Sequence, residues 1–92
     1  MKVQVTKVMA KFLNKEIPEF TFSVEEHTTG WFSDPNDYNP KTGRTKVLVV
    51  NYPPQYYAIP QVFTTKDLVQ CFHHSDRTAE GFVKRVRDMV MI

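Results

Sequence analysis

The chain has 92 residues, of which 41% are hydrophobic, 13% aromatic and 24% charged, enough for one small domain, 1–92, with a core of its own. Twelve basic and ten acidic side chains leave a net charge of +2, which argues against a polybasic nucleic-acid binder and equally against an acidic nucleic-acid mimic. The single cysteine, Cys71, excludes an intrachain disulfide and a four-cysteine zinc ribbon.

Lys7 and Lys11 interrupt the apolar residues of the N-terminal segment, so it lacks the unbroken run of about 7–15 apolar residues that a signal peptide needs. No window approaches the roughly 20 apolar residues of a membrane helix. The expectation is a cytoplasmic protein with no membrane partner. Charge is unevenly placed. Residues 1–46 hold seven basic and six acidic side chains, residues 47–65 hold none, and residues 66–92 hold five and four.

Residues 2–13 fit two periodicities. Val5, Val8, Met9, Phe12 and Leu13 follow helical spacing, whereas Val3 and Val5, then Val8, Ala10 and Phe12, alternate as in a strand with a bulge near Thr6 and Lys7. The valines favour the strand. Asn14 to Glu16 then read as a turn before Pro18. Phe20, Phe22 and Val24 alternate with polar residues, which predicts a half-buried strand and, with the first, an antiparallel hairpin.

Residues 28–43 read as a loop punctuated by Gly30, Pro35, Pro40, Gly43 and a series of Asp and Asn residues. Its length and its aromatic residues suggest a functional loop. Lys46–Asn51 reads as a strand buried on both faces. Tyr52–Gln55 turns the chain, and Tyr56–Phe63 reads as an extended edge segment because of Pro60. Thr64 and Asp67 have capping-box spacing, opening a helix with Leu68, Cys71 and Phe72 on one face. After a break over His73–Arg77, Thr78 can cap a last helix whose Phe82, Val83, Val86, Met89 and Val90 share one arc.

Strands first and helices last predict an α+β domain: a small antiparallel sheet of about four strands with two C-terminal helices packed on one face. The expected core is Phe22, Val49, Leu68, Phe72, Phe82, Val86 and Met89. Two helices cover one sheet face only, so the charge-free stretch 47–65 predicts a homodimer through the other face or its edge.

The chemistry-bearing residue types form no familiar site. Cys71 has His73 and His74 nearby, but a nucleophile needs its base and a third orienting group at one point. Cys71, His73, His74 and Asp76 are metal-ligand types without a second pair, leaving only His27 elsewhere. Asp34, Asn36, Asp37 and Asn39 lack the spacing of a calcium loop and fit Asx turns. No metal, no cofactor and no enzymatic activity are expected.

Pro53-Pro54-Gln55-Tyr56 has the shape of a polyproline-type ligand, provided it is extended and exposed. In a helix-turn-helix frame starting at Thr65, Leu68, Phe72, Ala79 and Phe82 fill apolar positions. His74, however, takes an apolar position and His73 the usual turn glycine. In that frame Lys84, Arg85 and Arg87 would face phosphates, opposed by Asp67, Asp76, Glu80 and Asp88.

The leading expectation is therefore a small non-enzymatic binding protein, a regulator, inhibitor or accessory factor, whose partner is most often a protein. The expected contact site is the long loop and its basic end, with Trp31, Phe32, Tyr38, Lys41 and Arg44. The alternative is a weak nucleic-acid binder using Lys84, Arg85 and Arg87.

Overall fold

A computed structural model describes residues 2–28 and 34–91 of the chain. Among them the elements run α1 (Lys7–Glu16), β1 (Thr21–His27), β2 (Tyr38–Asn39), β3 (Arg44–Asn51), a 3₁₀ turn (Pro54–Tyr56), β4 (Gln61–Phe63), α2 (Thr65–His73) and α3 (Ala79–Val90). The class is α+β, with a four-stranded antiparallel sheet and two helices in the C-terminal half.

The first element corrects the strand expected over residues 2–13. Thr6 lies in extended backbone and its hydroxyl accepts from the Met9 N–H at 3.1 Å, which is an N-cap. From there Met9 and Leu13 repeat every four residues into the core, with Ala10 beside them. Lys, Ala, Met, Leu and Glu are also good helix formers. The valines that suggested a strand do not decide: Val3 and Val5 precede the helix, and Val8 is 79% exposed. Asn14 to Glu16, expected as a turn, form the last helical turn, which closes at Ile17 before Pro18. The two N-terminal segments therefore form a helix and a strand, not a hairpin.

β3 is the centre of the sheet. β1 pairs along one side of it, from Thr21 opposite Asn51 to His27 opposite Thr45. The other side is shared by β2, opposite Arg44 and Thr45, and β4, opposite residues 48–50. The extended segment expected over 56–63 is thus a strand only from Gln61, because a 3₁₀ turn takes up Tyr56.

All three helices contribute to one core. Met9 and Leu13 of α1, Leu68 and Cys71 of α2, and Phe82, Val86 and Val90 of α3 pack with Phe22, Leu48, Val50 and Phe63 of one sheet face. The expected core holds for Phe22, Leu68, Phe82 and Val86, with Phe72 half-buried against them. It fails at two positions. Met89 is 42% exposed, because the arc that buries Phe82, Val86 and Val90 leaves it at the boundary. Val49 is buried but belongs to the opposite face, since its neighbours in the strand face the helices.

β3 is buried on both faces, as four unbroken apolar residues predict. Val47 and Val49, on the face away from the helices, are 1% and 4% exposed within the single chain. They are not the open surface on which the homodimer was expected.

A buried carboxylate joins three parts of the chain. Both oxygens of Asp37 accept from Thr65, Oδ2 from its N–H at 2.9 Å and Oδ1 from its hydroxyl at 2.5 Å. The Thr65 hydroxyl in turn accepts from the Val5 N–H at 2.9 Å. The charge sits at the first residue of α2, where the helix dipole favours an anion. Asp37→Asn replaces one acceptor by a donor that faces a donor. We expect it to lower stability by about 2 kcal/mol in a urea titration. An unchanged midpoint would remove the tie from the account of the fold.

Candidate functional site

Three sequence-level candidates are resolved by local geometry. Cys71 is buried in the core, and that burial raises its thiol pKa. Its Sγ contacts Met89 Sδ at 3.0 Å, while His73 and His74 are exposed. No thiolate–imidazole pair is assembled. Alkylation of native Cys71 by iodoacetamide should therefore be slow and accelerate many-fold in denaturant; equal rates would contradict its burial. Among the described residues no group of three His, Cys, Asp or Glu side chains is placed to hold a metal ion.

The Pro53–Tyr56 segment is folded rather than extended. Tyr56 N–H donates to the Pro53 carbonyl at 3.0 Å, and Tyr57 N–H to that of Pro54 at 3.2 Å. The Tyr56 ring stands edge-on to Phe20 with centroids 5.6 Å apart. A polyproline II ligand needs the opposite, a free extended backbone.

The long loop is organised by the Asx turns its composition implies. Asp34 Oδ1 accepts from Asn36 N–H, and Asn39 Oδ1 from Lys41 N–H. The two-residue β2 interrupts the expected loop and makes a hairpin with β3. Gly43 closes that hairpin with φ +68°, a conformation that favours glycine. Of the expected contact residues, Tyr38, Lys41 and Arg44 are exposed together on this hairpin. Trp31 and Phe32 lie outside the described residues.

The helix-turn-helix candidates divide. Lys84 and Arg85 are exposed on α3. Arg87 is engaged within the chain, where it pairs with Glu19 and donates to the Glu16 carbonyl. That contact clamps α3 to the end of α1. Of the opposing acids, Asp67 is occupied by the capping box, its carboxylate accepting from Thr64 N–H at 2.9 Å.

A surface that sequence reasoning missed lies between α1 and β1. Lys7, Val8, Lys11 and Asn14 of the helix and Phe22 and Val24 of the strand line an open groove of about 560 Å³. Lys7, Lys11 and Lys15 follow one another at one-turn intervals along α1. This lysine spacing is visible in the sequence, but only if residues 7–16 are read as a helix.

The groove runs beside the outer edge of β1. Pairing with β3 uses the backbone groups of the odd-numbered β1 residues and turns those of Phe22, Val24 and Glu26 outward. Asn14 satisfies Phe22 on both sides, its Nδ2 donating to the Phe22 carbonyl at 2.8 Å and its Oδ1 accepting from the Phe22 N–H at 2.7 Å. No described residue hydrogen-bonds to the backbone of Val24 or Glu26 on that edge. Glu25 and His27, which point to the other face, pair with each other at 3.1 Å.

No protein-family model, curated protein or solved structure matches this chain. No helix among the described residues is long and apolar enough to cross a membrane.

Proposed function

We propose that the chain is a small non-enzymatic binding protein, a regulator, inhibitor or accessory factor that acts by contacting a protein partner in the cytoplasm. The observation that carries this reading is the outer edge of β1, which no strand among the described residues pairs, beside a groove walled by Lys7 and Lys11. Folded domains usually blunt or cover such an edge, and here Asn14 blunts only one residue of it. The exposed Tyr38, Lys41 and Arg44 of the β2–β3 hairpin are the second contact surface in this reading. A buried, unpaired Cys71 fits a reducing compartment.

The test is capture from native host lysate, with wild type beside Lys7→Glu/Lys11→Glu and Tyr38→Ala/Arg44→Ala. Loss of a specific protein with either variant, at unchanged circular dichroism, supports the reading and assigns the surface. Absence of any specific protein in the wild-type capture sinks it. A gel shift with duplex DNA titrated with salt tests the nucleic-acid alternative, for which Lys84 and Arg85 remain free of described ion pairs. Binding that falls steeply with salt would favour that alternative.

Self-association belongs to the same proposal, relocated within the charge-free stretch. Tyr57 is 97% and Ile59 85% exposed, and both lead into β4, where Val62 is also exposed. Light scattering at micromolar concentration is expected to give twice the 10.8 kDa of one chain, and Ile59→Asp should restore the monomer. A wild-type mass of 10.8 kDa would eliminate the homodimer.

A further inference from the structure

We infer that the groove between α1 and β1 accepts an extended acidic peptide segment as an added strand on β1, with Asn14 marking where the pairing stops. This rests on the protein-binding reading above and specifies the occupant of its groove.

The argument starts with Asn14. One side-chain amide makes with Phe22 the same two hydrogen bonds that a residue of a neighbouring strand would make, at 2.8 and 2.7 Å. The outer edge of β1 is thus already paired at one position by a strand-like group and has the geometry for more. The next outward groups, at Val24 and Glu26, continue the same line without a partner among the described residues. An added strand running along them meets Asn14 at Phe22 and can extend only toward His27. That restricts pairing to a short segment and fixes its register, since a one-residue slip would turn the peptide's inward backbone groups away from β1 and carry every side chain to the opposite face.

The groove walls select the chemistry. On the helix side, Lys7 and Lys11 stand one turn apart with the exposed Val8 between them. Neither lysine has a carboxylate within ion-pair distance among the described residues. Side chains of an added strand alternate between the sheet's two faces, so those facing α1 meet two ammonium groups. Carboxylates at these positions are complementary. Glu26 is exposed at the far end of the edge and opposes an acid there, so the acidic preference belongs to the Val24 end.

The probe is an acetylated seven-residue peptide alternating threonine with glutamate, titrated into the ¹⁵N-labelled protein. The expected result is saturable shifts of the Val24 and Glu26 amides, with slowed hydrogen exchange at both. Replacing glutamate by lysine in the peptide should remove binding, as should N-methylation of its backbone. Lys7→Glu/Lys11→Glu should weaken binding about tenfold at unchanged circular dichroism, because both substituted positions are solvent-exposed. The inference is overturned if no saturable shift appears up to millimolar peptide. It is equally overturned if the shifts survive N-methylation or charge reversal, or centre on residues 38–44. Any of these with lysate capture intact overturns strand addition alone, whereas loss of capture in the wild type overturns the binding reading beneath it.

Discussion

Phe82→Ala is expected to lower the unfolding free energy by about 3–5 kcal/mol. The ring is fully buried at the point where α3 meets α2, and stands edge-on to Phe72 with centroids 6.1 Å apart. It belongs to the same buried cluster as Leu13 of α1 and Leu48 of β3, so truncation would open a cavity inside a packed core. A domain of this size has roughly 5–15 kcal/mol in total, so the loss is a large share. At about 4–8 °C per kcal/mol, the melting temperature should fall by more than about 12 °C. Met89→Ala is the matched control. Met89 lies on the same helix but is 42% exposed, and its truncation should change stability by less than about 1 kcal/mol. Equal shifts for the two variants would refute the orientation of α3.

The second large effect has an unusual sign. Gly81 is the third residue of α3, and alanine at a helical glycine ordinarily stabilises by up to about 1 kcal/mol. Here a Cβ would stand 2.3 Å from the Ser75 carbonyl oxygen and 2.9 Å from the Thr78 hydroxyl. Neither neighbour is free to retreat. Thr78 is the N-cap of α3 and accepts from the Gly81 N–H at 3.0 Å. Ser75 begins a turn whose next two residues, Asp76 and Arg77, already hold φ of 59° and 55°, a region that side chains other than glycine seldom adopt. Moving Ser75 would disturb the connection between α2 and α3. Gly81→Ala is therefore expected to destabilise by about 3 kcal/mol, against the propensity of the two residues. A urea midpoint equal to or above wild type would show that the turn yields. Gly81→Ser should behave like alanine, since the obstacle is the β-carbon itself.

The elements that were legible in the chain are those whose signal is local. The Thr64–Asp67 capping box and the Thr78 cap each close within four residues, and both are present with the hydrogen bonds their spacing implies. β3 was legible because a run of four apolar residues suits a strand buried on both sides. The turn chemistry of residues 34–43 was legible because Asp and Asn side chains bond to backbone two residues away.

Where two local signals competed, tertiary contacts decided. Residues 7–16 fit a strand or a helix by their apolar residues alone. The helix prevails because Met9, Ala10, Leu13 and Ile17 then bury together, while Asn14 reaches the edge of a strand eight residues further on. The place of Met89 is set by how α3 leans on α2 and the sheet, which no periodicity within the helix specifies. The partner of Asp37 is 28 residues away and could not be named from its neighbours.

The candidate groove is the clearest case of this division. Its lysines, its asparagine and its strand are all written in the chain, and by their types each suits an exposed helix face or an ordinary sheet. They become one surface only because β3 gives its other side to β2 and β4, which leaves β1 at the rim, and because α1 lies along that rim. The sequence by itself determined the α+β class, the caps, the central strand and most of the core, since these follow from local periodicity and short-range hydrogen bonds. Tertiary structure decided the identity of the first element, the open edge and the groove, since strand order and helix placement depend on contacts between residues far apart in the chain.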